Sequence, residues 1–594
     1  MYKKSVFYRT RRCVVLWVVL LLMGTYQLAT ASPRTALTHC ALAVPDPFAA
    51  HTANAIFAKG GNAVDAAVAV AFSLAVTYPE AGNIGGGGFM TVYYKGKPYF
   101  LDYRERAPQK ATRDMFVDSS GKKVIAADQP QGSVIGHRSV GVPGTVAGMW
   151  EAHKRFGKLK WSQLIQPAIG YAHHGFVVDE ALASSAKSEN EKRFAGKTNF
   201  AEHFGQLQAG NHFKQPELEA VLKRIAAQGP KGFYAGKTAA LIVTDMSANG
   251  GLISAQDLAD YKAVWRAPIQ ANWNGFQIIT APPPSSGGVA LVQLLKMKEM
   301  RREDFKGVPL NSARYMHLVA EIEKRVFADR AQYLGDPDFY AVPVHELIDE
   351  HYLAGRASQV NLSVPSDTDK VVAGLNIESP EKPQTTHFSI VDKWGNAVSN
   401  TYTLNGFFGS GVVAEKTGIL LNDEMDDFSA LAGVPNQMGV VGTDTNAIEP
   451  GKRPLSSMTP TIFLKDGKVA LVIGTPGGSR IFTSIFQVVS NVYDFHLGLK
   501  DAVGAMRFHH QLLPANTIFW EPYAPISGQL AADLGVAGYY LANQGFNGDI
   551  QAIRVEHGVP EPVSDPRGRG VTSIGKKPKA GRAIQVDWHR PRRA

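Results

Sequence analysis

The sequence predicts that two threonines lie side by side at one end of a β-hairpin. Two segments of alternating apolar and polar side chains flank a turn that contains a glycine; they are residues 385–391 (TTHFSIV), 397–404 (AVSNTYTL) and, between them, 392–396 (DKWGN). If the five turn residues form the loop, Val391 faces Ala397 and Thr385 faces Thr403. Opposed residues of an antiparallel pair lie about 5 Å apart, so the two hydroxyls are within hydrogen-bonding reach.

The pattern alone leaves two interpretations of this threonine pair open. Threonine is common in strands, so Thr385 and Thr403 are also typical of a purely structural pair, and a register shift of one residue would separate them. The segment before Thr385 favours a chemical role. Residues 361–384 are polar and rich in Ser, Pro and Asp, which predicts an exposed, mobile segment that ends at this strand.

A second group of candidate residues lies between positions 405 and 480. It consists of an amide, two carboxylates, two adjacent hydroxyls and two adjacent glycines: Asn405, Glu424, Asp427, Ser456, Ser457, Gly477 and Gly478. The glycines follow an apolar strand (VALVIG), and consecutive glycines can present backbone N–H groups to an anion. Each of these features is also typical of an ordinary loop turn, so none of them identifies a function alone.

Strands and helices are predicted in the part of the chain that precedes these candidates. Residues 50–77 are rich in Ala and Val, and residues 64–76 predict a buried helix that is too short to span a membrane. Residues 99–106 (YFLDYRER) predict a strand that leads into charged residues, among them Arg104. Helical patterns interrupted by Gly and Pro fill residues 140–355.

Several common catalytic and binding motifs are incomplete in this chain. The Gly-x-Ser-x-Gly motif of a serine hydrolase is absent, and Ser456 has no lysine three residues later. Residues 81–88 (AGNIGGGG) lack the Gly-Lys-Ser/Thr ending of a phosphate loop, so close backbone packing or a flexible turn is favoured. His345 and His351 are six residues apart and cannot share one helix face. We therefore predict neither a metal site nor a cofactor.

Size, composition and charge limit the class of protein. A length of 594 residues predicts about two to four domains or one large sandwich. The composition, with 45% hydrophobic and 19% charged residues, excludes global disorder. The formal net charge is +10, but residues 1–31 contain five basic and no acidic residues, and the tail at 567–594 contains nine basic residues and one acidic residue. The part between them carries −3, which is not typical of a nucleic-acid-binding protein. The basic tail is interpreted as a solvated segment.

The first 31 residues have the three parts of a secretory signal. Basic residues end at Arg12, residues 13–23 are apolar, and residues 29–31 (ATA) offer a cleavage site. The apolar run is shorter than the ~20 residues that span a bilayer. We therefore predict a periplasmic or secreted protein whose signal peptide at 1–31 is removed, with an uncleaved anchor as the alternative.

Taken together, these segments resemble the γ-glutamyltransferase family (γ-glutamyl transpeptidases). The resemblance covers roughly residues 45–570 and is closest in style to the bacterial periplasmic members. The motifs that carry it are, in chain order, LDYRERAP at 101–108, Gln384-Thr385-Thr386-His387, Tyr402-Thr403-Leu404-Asn405, the NDEMDDFS run, RPLSSM, TPGGSR and SDPR at 564–567. Residues 431–450 resemble the active-site lid of those proteins.

The resemblance implies an α+β fold of the N-terminal nucleophile hydrolase class, an αββα sandwich of two packed sheets between helical layers. It also implies self-cleavage between Gln384 and Thr385. The products would be a large subunit of residues 32–384 and a small catalytic subunit of residues 385–594, which form the fold jointly as a heterodimer. The mobile segment 361–384 would move away after the cut.

The resemblance further implies roles for the candidate residues. Thr385, once it is the first residue of a chain, would attack a γ-amide carbonyl and form an acyl-enzyme. Its own α-amine would serve as the base, because an unperturbed α-amine has a pKa near ~8. The other implied roles are that Thr403 holds the Thr385 hydroxyl, Gly477 and Gly478 form the oxyanion hole, Arg104 with Ser456 and Ser457 binds the α-carboxylate, and Asn405, Glu424 and Asp427 bind the α-ammonium.

The implied activity is transfer of the γ-glutamyl group of glutathione and related compounds to water or to an amino-acid or dipeptide acceptor. One alternative is a cephalosporin or glutaryl acylase, whose substrates lack the α-ammonium; Glu424 and Asp427 argue against it, because their charges would have no ammonium to bind. A second alternative is an uncleaved, inactive binding protein for γ-glutamyl compounds. The intact Thr385, Thr403 and glycine pair argue against that class.

Two features depart from the family pattern. Gly406-Phe407 follows Asn405 where relatives often have other residues, which predicts a reshaped edge of the pocket. The basic extension after Arg567 is longer than is typical of the family. Neither departure includes a position with an implied catalytic role.

Overall fold

The computed structural model describes residues 36–121, 124–205, 207–374, 385–431, 444–545 and 548–575. Several predicted features lie outside these residues: the signal peptide at 1–31, the end of the segment before the cleavage point including Gln384, most of the lid-like stretch 431–450 and most of the basic tail.

The strands of the described residues are short to medium in length. In chain order they are β1 (Ala41–Val44), β2 (Gly87–Tyr94), β3 (Lys97–Tyr103), β4 (Phe176–Val177), β5 (His212–Phe213), β6 (Val264–Arg266), β7 (Ile269–Trp273), β8 (Phe276–Thr280), β9 (Thr386–Val391), β10 (Ala397–Thr403), β11 (Val413–Ala414), β12 (Ile419–Leu420), β13 (Thr461–Lys465), β14 (Lys468–Gly474), β15 (Phe508–His509), β16 (Thr517–Trp520), β17 (Tyr540–Asn543), β18 (Gln551–Glu556), β19 (Val559–Ser564) and β20 (Val571–Ile574).

The helices occupy mainly the region between β3 and β9, as the sequence predicts. In chain order they are α1 (Pro47–Ala58), α2 (Ala63–Thr77), α3 (Thr145–Phe156), α4 (Trp161–His174), α5 (Glu180–Glu189), α6 (Phe200–Phe204), α7 (Pro216–Gln228), α8 (Lys231–Tyr234), α9 (Gly236–Ala248), α10 (Ala255–Asp260), α11 (Gly287–Met300), α12 (Arg302–Phe305), α13 (Ala313–Tyr333), α14 (Val344–Leu347), α15 (Glu350–Ser358), α16 (Ile481–Tyr493), α17 (Leu499–Gly504) and α18 (Gly528–Val536).

Two antiparallel sheets form the centre of the molecule. The first has the strand order β20-β1-β9-β10-β2-β3-β6, and the second has the order β19-β18-β14-β13-β8-β7. Apolar side chains of both sheets, including Ala43, Val391, Ile462 and Val472, form one buried cluster between them. The two sheets therefore stack face to face, and the side chains of their inner faces form a shared apolar core.

Helices cover the outer face of each sheet. The helices α1, α2 and α4 share one apolar core with the first sheet, and α11, α13 and α16 share another with the second sheet. The result is four layers in the order helix, sheet, sheet, helix. Because both faces of each sheet are covered, β9 and β10 are buried along their whole length, and β13 and β14 are buried except at the turn that joins them.

The predicted helix at 64–76 is confirmed as α2. Its first turn is closed by a capping box, in which the Asn62 side chain accepts a hydrogen bond from the Asp65 N–H at 2.9 Å and the Asp65 carboxylate accepts one from the Asn62 N–H at 3.0 Å. Every residue of the helix is buried, which explains its run of Ala and Val.

The predicted hairpin is confirmed with the predicted register. Val391 pairs with Ala397, and the ladder ends where Thr386 pairs with Tyr402. The carboxylate of Asp392 closes the turn, because it accepts hydrogen bonds from backbone N–H groups within the turn and one from the N–H of Ala63 at 3.0 Å. The turn of the hairpin is thereby joined to the first residue of α2.

The described part of the segment before the hairpin is attached to α13. The backbone N–H of Ser366 donates to the Glu321 carboxylate at 2.8 Å, and the N–H of Gly374 donates to Asp329 at 3.0 Å. Of the helices in the described ranges, none combines the length and the apolar composition that crossing a membrane requires.

Candidate active site

Thr385 lies immediately before β9, in the middle of the first sheet. The residue is buried, and its hydroxyl has no hydrogen-bond partner among the described residues. Thr403 ends the neighbouring strand β10, and its Oγ1 accepts a hydrogen bond from the N–H of Asn405 at 2.7 Å. The register places both threonines at the same end of the hairpin, but the Thr385 hydroxyl does not form the predicted contact with Thr403.

His387 joins the start of β9 to the end of β14 in the other sheet. A Cβ added to Gly474, the last residue of β14, would lie 2.2 Å from the His387 ring, so only glycine fits there. The ring nitrogens bond to the hydroxyls of Thr401 at 2.8 Å and Ser389 at 3.0 Å. Burial lowers the pKa of His387 to about 3, so its imidazole is neutral at pH 7.

The predicted oxyanion glycines follow β14 after two intervening residues, Thr475 and Pro476. Gly477 has φ 137° and Gly478 has φ 62°, values that non-glycine residues rarely adopt. The Gly477 carbonyl accepts hydrogen bonds from the backbone and the side chain of Arg480, at 3.2 and 3.0 Å. The turn is thereby held at the entrance to α16. Because β14 ends against His387, this glycine turn belongs to the same end of the sandwich as Thr385.

Arg104 follows β3 and is completely buried. Its guanidinium forms ion pairs with Glu424 and Asp427, and with Glu105 at 3.4 Å. It also donates to the carbonyls of Pro454 at 3.1 Å and Leu455 at 3.2 Å, directly before the serine pair. The structure therefore brings together residues that the sequence analysis assigned to two opposite ends of a bound glutamyl group.

The carboxylates of Glu424 and Asp427 lie on one 3₁₀ turn, and each keeps an oxygen for a further partner. Glu424 Oε2 and Asp427 Oδ1 are buried and have no hydrogen-bond partner among the described residues. Burial raises the pKa of both groups, whereas the charge of Arg104 opposes this rise. Two buried carboxylate oxygens without donors suit an incoming ammonium group.

Ser456 and Ser457 lie in a loop that the start of α11 supports. The Ser456 carbonyl accepts hydrogen bonds from the N–H of Ser286 at 2.6 Å and from its hydroxyl at 2.9 Å. The Ser457 Oγ accepts a hydrogen bond from Arg330 at 2.7 Å. The sequence analysis did not single out Arg330, because an arginine within a long helix carries no motif that distinguishes it from a surface residue.

Asn405 adopts a left-handed backbone conformation, with φ 73°, between the hairpin and the carboxylate turn. Its side-chain NH₂ donates to the Asp423 carbonyl at 2.9 Å. The carboxylate of Asp423 accepts from the Gly406 N–H at 2.8 Å, and burial raises the pKa of Asp423 to about 8. Asn405 is thus held against the residue that precedes Glu424.

Gly406 lies close to the side chains of Arg193 and Asp423. A Cβ at position 406 would lie 3.0 Å from Nη2 of Arg193 and 3.1 Å from the Asp423 carboxylate. The Arg193 guanidinium donates to the carbonyls of Phe407 and Gly409, at 3.2 and 3.3 Å. Arg193, from the π-helical turn Asn190–Phe194, therefore holds the loop that follows Asn405.

Among the described residues, no group of His, Cys, Asp and Glu has an arrangement that could hold a metal ion. The site includes donors and acceptors suited to an amino-acid head group: the Arg104 guanidinium, the Glu424 and Asp427 carboxylates with their oxygens that lack partners among the described residues, and two adjacent hydroxyls. The combination of this head-group site with a buried threonine immediately before a strand and a glycine turn is typical of acyl transfer from an amino-acid derivative.

Two stacked antiparallel sheets between helical layers are the architecture of N-terminal nucleophile hydrolases. Comparison with solved structures supports this class. A cephalosporin acylase from Bacillus halodurans superposes with a TM-score of 0.77 at 25% identity, covering 91% of this chain and 96% of that chain. A γ-glutamyltranspeptidase from Pseudomonas nitroreducens, complexed with L-DON, is 57% identical, with a TM-score of 0.54, and covers 56% of this chain and 97% of that chain.

Sequence comparison identifies the family within this class. The family profile described as Gamma-glutamyltranspeptidase matches residues 49–575. A glutathione hydrolase proenzyme of Pseudomonas aeruginosa is 60% identical over 537 residues, which are 90% of this chain and 94% of that protein. The chain belongs to the γ-glutamyltranspeptidase family, as its motifs predict.

Proposed function

We propose that this protein is a self-processing γ-glutamyltransferase (glutathione hydrolase) that cleaves the γ-glutamyl amide of glutathione and related compounds. The observation that carries the proposal is the buried group of Arg104, Glu424 and Asp427. Its two carboxylates share one guanidinium and still have two oxygens without donors. The group therefore has more acceptor oxygens than donors, and an α-ammonium at this point would supply the missing donors.

Maturation would begin with Thr385. A threonine hydroxyl is a weak nucleophile, and a free α-amine on the same residue supplies a base. Cleavage of the bond between Gln384 and Thr385 would create that amine and yield residues 32–384 and 385–594 as two chains. The buried hydroxyl of Thr385, which has no partner among the described residues, supports its assignment as the reacting group.

The proposed reaction is acyl transfer through a threonyl ester. The Thr385 oxygen attacks the γ-carbonyl carbon, and its proton passes to the Thr385 amine. The N–H groups of Gly477 and Gly478 stabilise the oxyanion; removal of one such donor costs about 3 kcal/mol in comparable sites. The departing amine takes the proton, and water or the amine of an amino acid or dipeptide then attacks the ester and releases the glutamyl group.

In this proposal, two different sets of residues bind the α-ammonium and the α-carboxylate of the glutamyl group. Glu424, Asp427 and Asn405 bind the α-ammonium, while Arg104, Ser456 and Ser457 bind the α-carboxylate. Arg104 contacts both sets of residues, because it forms ion pairs with Glu424 and Asp427 and donates a hydrogen bond to the Leu455 carbonyl, directly before Ser456. The signal at 1–31 would direct the precursor to the periplasm or the exterior.

A mass and end-group experiment tests maturation. We expect purified wild-type protein to contain a fragment of 210 residues that begins at Thr385, and a larger fragment that begins at residue 32. The Thr385→Ala variant should remain one chain of residues 32–594. Thr461→Ala, which changes another buried strand threonine, is the control and should be cleaved normally. Cleavage of Thr385→Ala, or an uncut wild-type chain, would contradict the proposal.

Substrate comparison tests the acyl group. The anilide of a γ-glutamyl group carries both α-charges, whereas the glutaryl anilide lacks the ammonium. We expect the wild-type protein to prefer the γ-glutamyl anilide, and equal turnover of the two would favour the acylase alternative. Binding of glutathione without release of glutamate or cysteinylglycine would favour the inactive binding protein instead.

A further inference from the structure

Arg330 is a second completely buried arginine beside the serine pair. It lies near the end of α13, and its guanidinium donates through Nη2 to Ser457 Oγ at 2.7 Å and through Nε to Ser286 Oγ at 3.0 Å. One planar side chain thus bonds to hydroxyls on two separate loops, and its two donors fix the distance between them.

The same two loops are also joined by direct hydrogen bonds. The Ser456 carbonyl accepts from the N–H and the hydroxyl of Ser286, and the Ser285 hydroxyl donates to the Met458 carbonyl at 2.7 Å. The loop of the serine pair is therefore attached to the start of α11 on one side and to α13 through Arg330.

The direction of the hydrogen bond at Ser457 has a chemical consequence. A guanidinium has donors only, so Ser457 Oγ acts as the acceptor towards Arg330. Arg330 thereby restricts the direction in which the Ser457 hydroxyl can donate its own hydrogen.

We propose that Arg330 is a positioning residue that orients Ser457 for recognition of the α-carboxylate of the glutamyl group. This inference rests on the proposed γ-glutamyltransferase function. Arg330 acts through Ser457 and does not take part in the chemical step. Arg104, by contrast, serves both ends of the head group because it is already paired with Glu424 and Asp427.

Three anilide substrates separate the two charges of the head group. The γ-glutamyl anilide has both charges, the glutaryl anilide has only the carboxylate, and the 4-aminobutyryl anilide has only the ammonium. The acyl carbon and the leaving group are the same in all three. A residue that serves carboxylate recognition must affect the first two substrates and leave the third unchanged.

We expect the Arg330→Gln variant to lose about 10- to 100-fold in kcat/KM with the γ-glutamyl and glutaryl anilides, mainly through KM, because hydrogen bonds to charged groups have this strength. Its kcat/KM with the 4-aminobutyryl anilide should stay within about twofold of the wild type, the scatter expected of independent sites. Arg330→Lys keeps the charge but not the fork and should recover part of the loss.

Two controls separate positioning from a general structural role. Arg325→Gln removes another buried guanidinium of α13, which bonds to Glu321 and Ser366, and should leave the substrate preference unchanged. In the double variant Arg330→Gln/Ser457→Ala, the loss should not exceed that of Ser457→Ala alone, since Arg330 acts through Ser457. Yield of the cleaved two-chain form reports whether each variant folds.

An equal loss with all three anilides in a normally cleaved Arg330→Gln variant would overturn the inference, as would additive losses in the double variant. If Arg330→Gln fails to mature, the same comparison with Arg330→Lys decides between the outcomes. Failure of the proposed function has a different signature, because the wild-type protein itself would then not turn over the γ-glutamyl anilide.

Discussion

At the scale of single residues, the charges of the candidate site are paired before any substrate arrives. Arg104 holds Glu424 and Asp427 inside the protein, and each carboxylate keeps one oxygen for a ligand. Removing Arg104 would leave buried carboxylates without a cation, which is strongly destabilising. Arg104 is therefore expected to serve both the folded state and the substrate, so its replacement by alanine affects stability as well as activity.

His387 provides a pH prediction at this scale. Its pKa of about 3 in the folded protein lies below the ordinary value of about 6.5, so the unfolded chain binds a proton at a higher pH than the folded one. Stability should therefore fall as the pH decreases from about 6.5 towards 3, by up to about 1.4 kcal/mol per pH unit from this group. His387→Gln should lack this contribution.

The measurement is urea unfolding between pH 7 and pH 4.5, with both proteins carrying Thr385→Ala so that each remains a single chain. His173→Gln, which changes an exposed histidine, is the matched control and should follow the parent protein. Parallel pH profiles for the parent and the His387→Gln variant would show that the buried ring does not resist protonation.

At the scale of elements, the candidate residues lie where strands end. Thr385 precedes β9, Thr403 ends β10, Arg104 follows β3, and the glycine turn follows β14. Strand ends are positioned by the rigid sheets, whereas the loops beyond them can adopt the conformations that binding requires. The glycine turn is the clearest case. Its two glycines have different φ values, and a non-glycine residue adopts one of these conformations more easily than the other.

This difference predicts unequal effects of alanine at the two glycines. Gly477 has φ 137°, which alanine avoids, so Gly477→Ala should rearrange the turn and lower kcat by about 100- to 1,000-fold, as loss of an oxyanion donor does. Gly478 has φ 62°, a left-handed conformation that costs alanine only about 1–2 kcal/mol, so Gly478→Ala should lose about tenfold.

Steady-state kinetics with the γ-glutamyl anilide checks this order. Gly467→Ala is a suitable control, because Gly467 also has a positive φ (70°), lies in the turn between β13 and β14 and has no atom within 4 Å of the added Cβ. It should keep full activity. A loss that is equal at positions 477 and 478 would show that the backbone of the turn adjusts to either substitution.

At the scale of the whole molecule, the two parts of the chain alternate within one sheet. In the first sheet β1 lies between β20 and β9, and β10 lies between β9 and β2, so strands from before and after residue 384 pair side by side. Arg569 adds ion pairs to Glu80 and to Asp179 at the same boundary. The two proposed subunits should therefore stay together after cleavage.

Truncation from the carboxyl end tests this arrangement. A chain that ends at Gly575 keeps β20 and should retain the activity and thermal stability of the full chain. A chain that ends at Gly570 loses β20, which pairs with β1 along four residues and contributes the Ser573 hydroxyl bonded to Asn54 at 2.9 Å. We expect the shorter chain to have a lower melting temperature and to release its large subunit more readily on dilution.

Size-exclusion chromatography with scanning calorimetry distinguishes the two truncations. If removal of residues 576–594 alone lowers the melting temperature as much as removal of 571–594, the basic tail is not the solvated segment that its composition predicts. Equal behaviour of the Gly570 chain and the full chain would show that β20 is dispensable at the boundary.

The amino-acid sequence by itself determined the local features of this protein. The register of β9 and β10 follows from alternation and turn length, and α2 follows from a segment rich in Ala and Val. Motifs such as NDEMDDFS and TPGGSR were sufficient to identify the family, because each motif consists of residues that are adjacent in the chain. These features depend on neighbours within a few positions, where sequence patterns and local geometry are directly linked.

Only the tertiary structure decided how the charges of the candidate site are shared. Arg104 meets Glu424 and Asp427 from more than 300 positions away, and Arg330 reaches Ser457 across 127 positions. The missing hydroxyl contact at Thr385 and the fit of Gly406 against Arg193 likewise depend on positions set by the packing of sheets and loops. Burial removes water from charged groups, so each of them needs a partner that is close in space. Such a partner can be distant in the sequence, and no local sequence pattern predicts it.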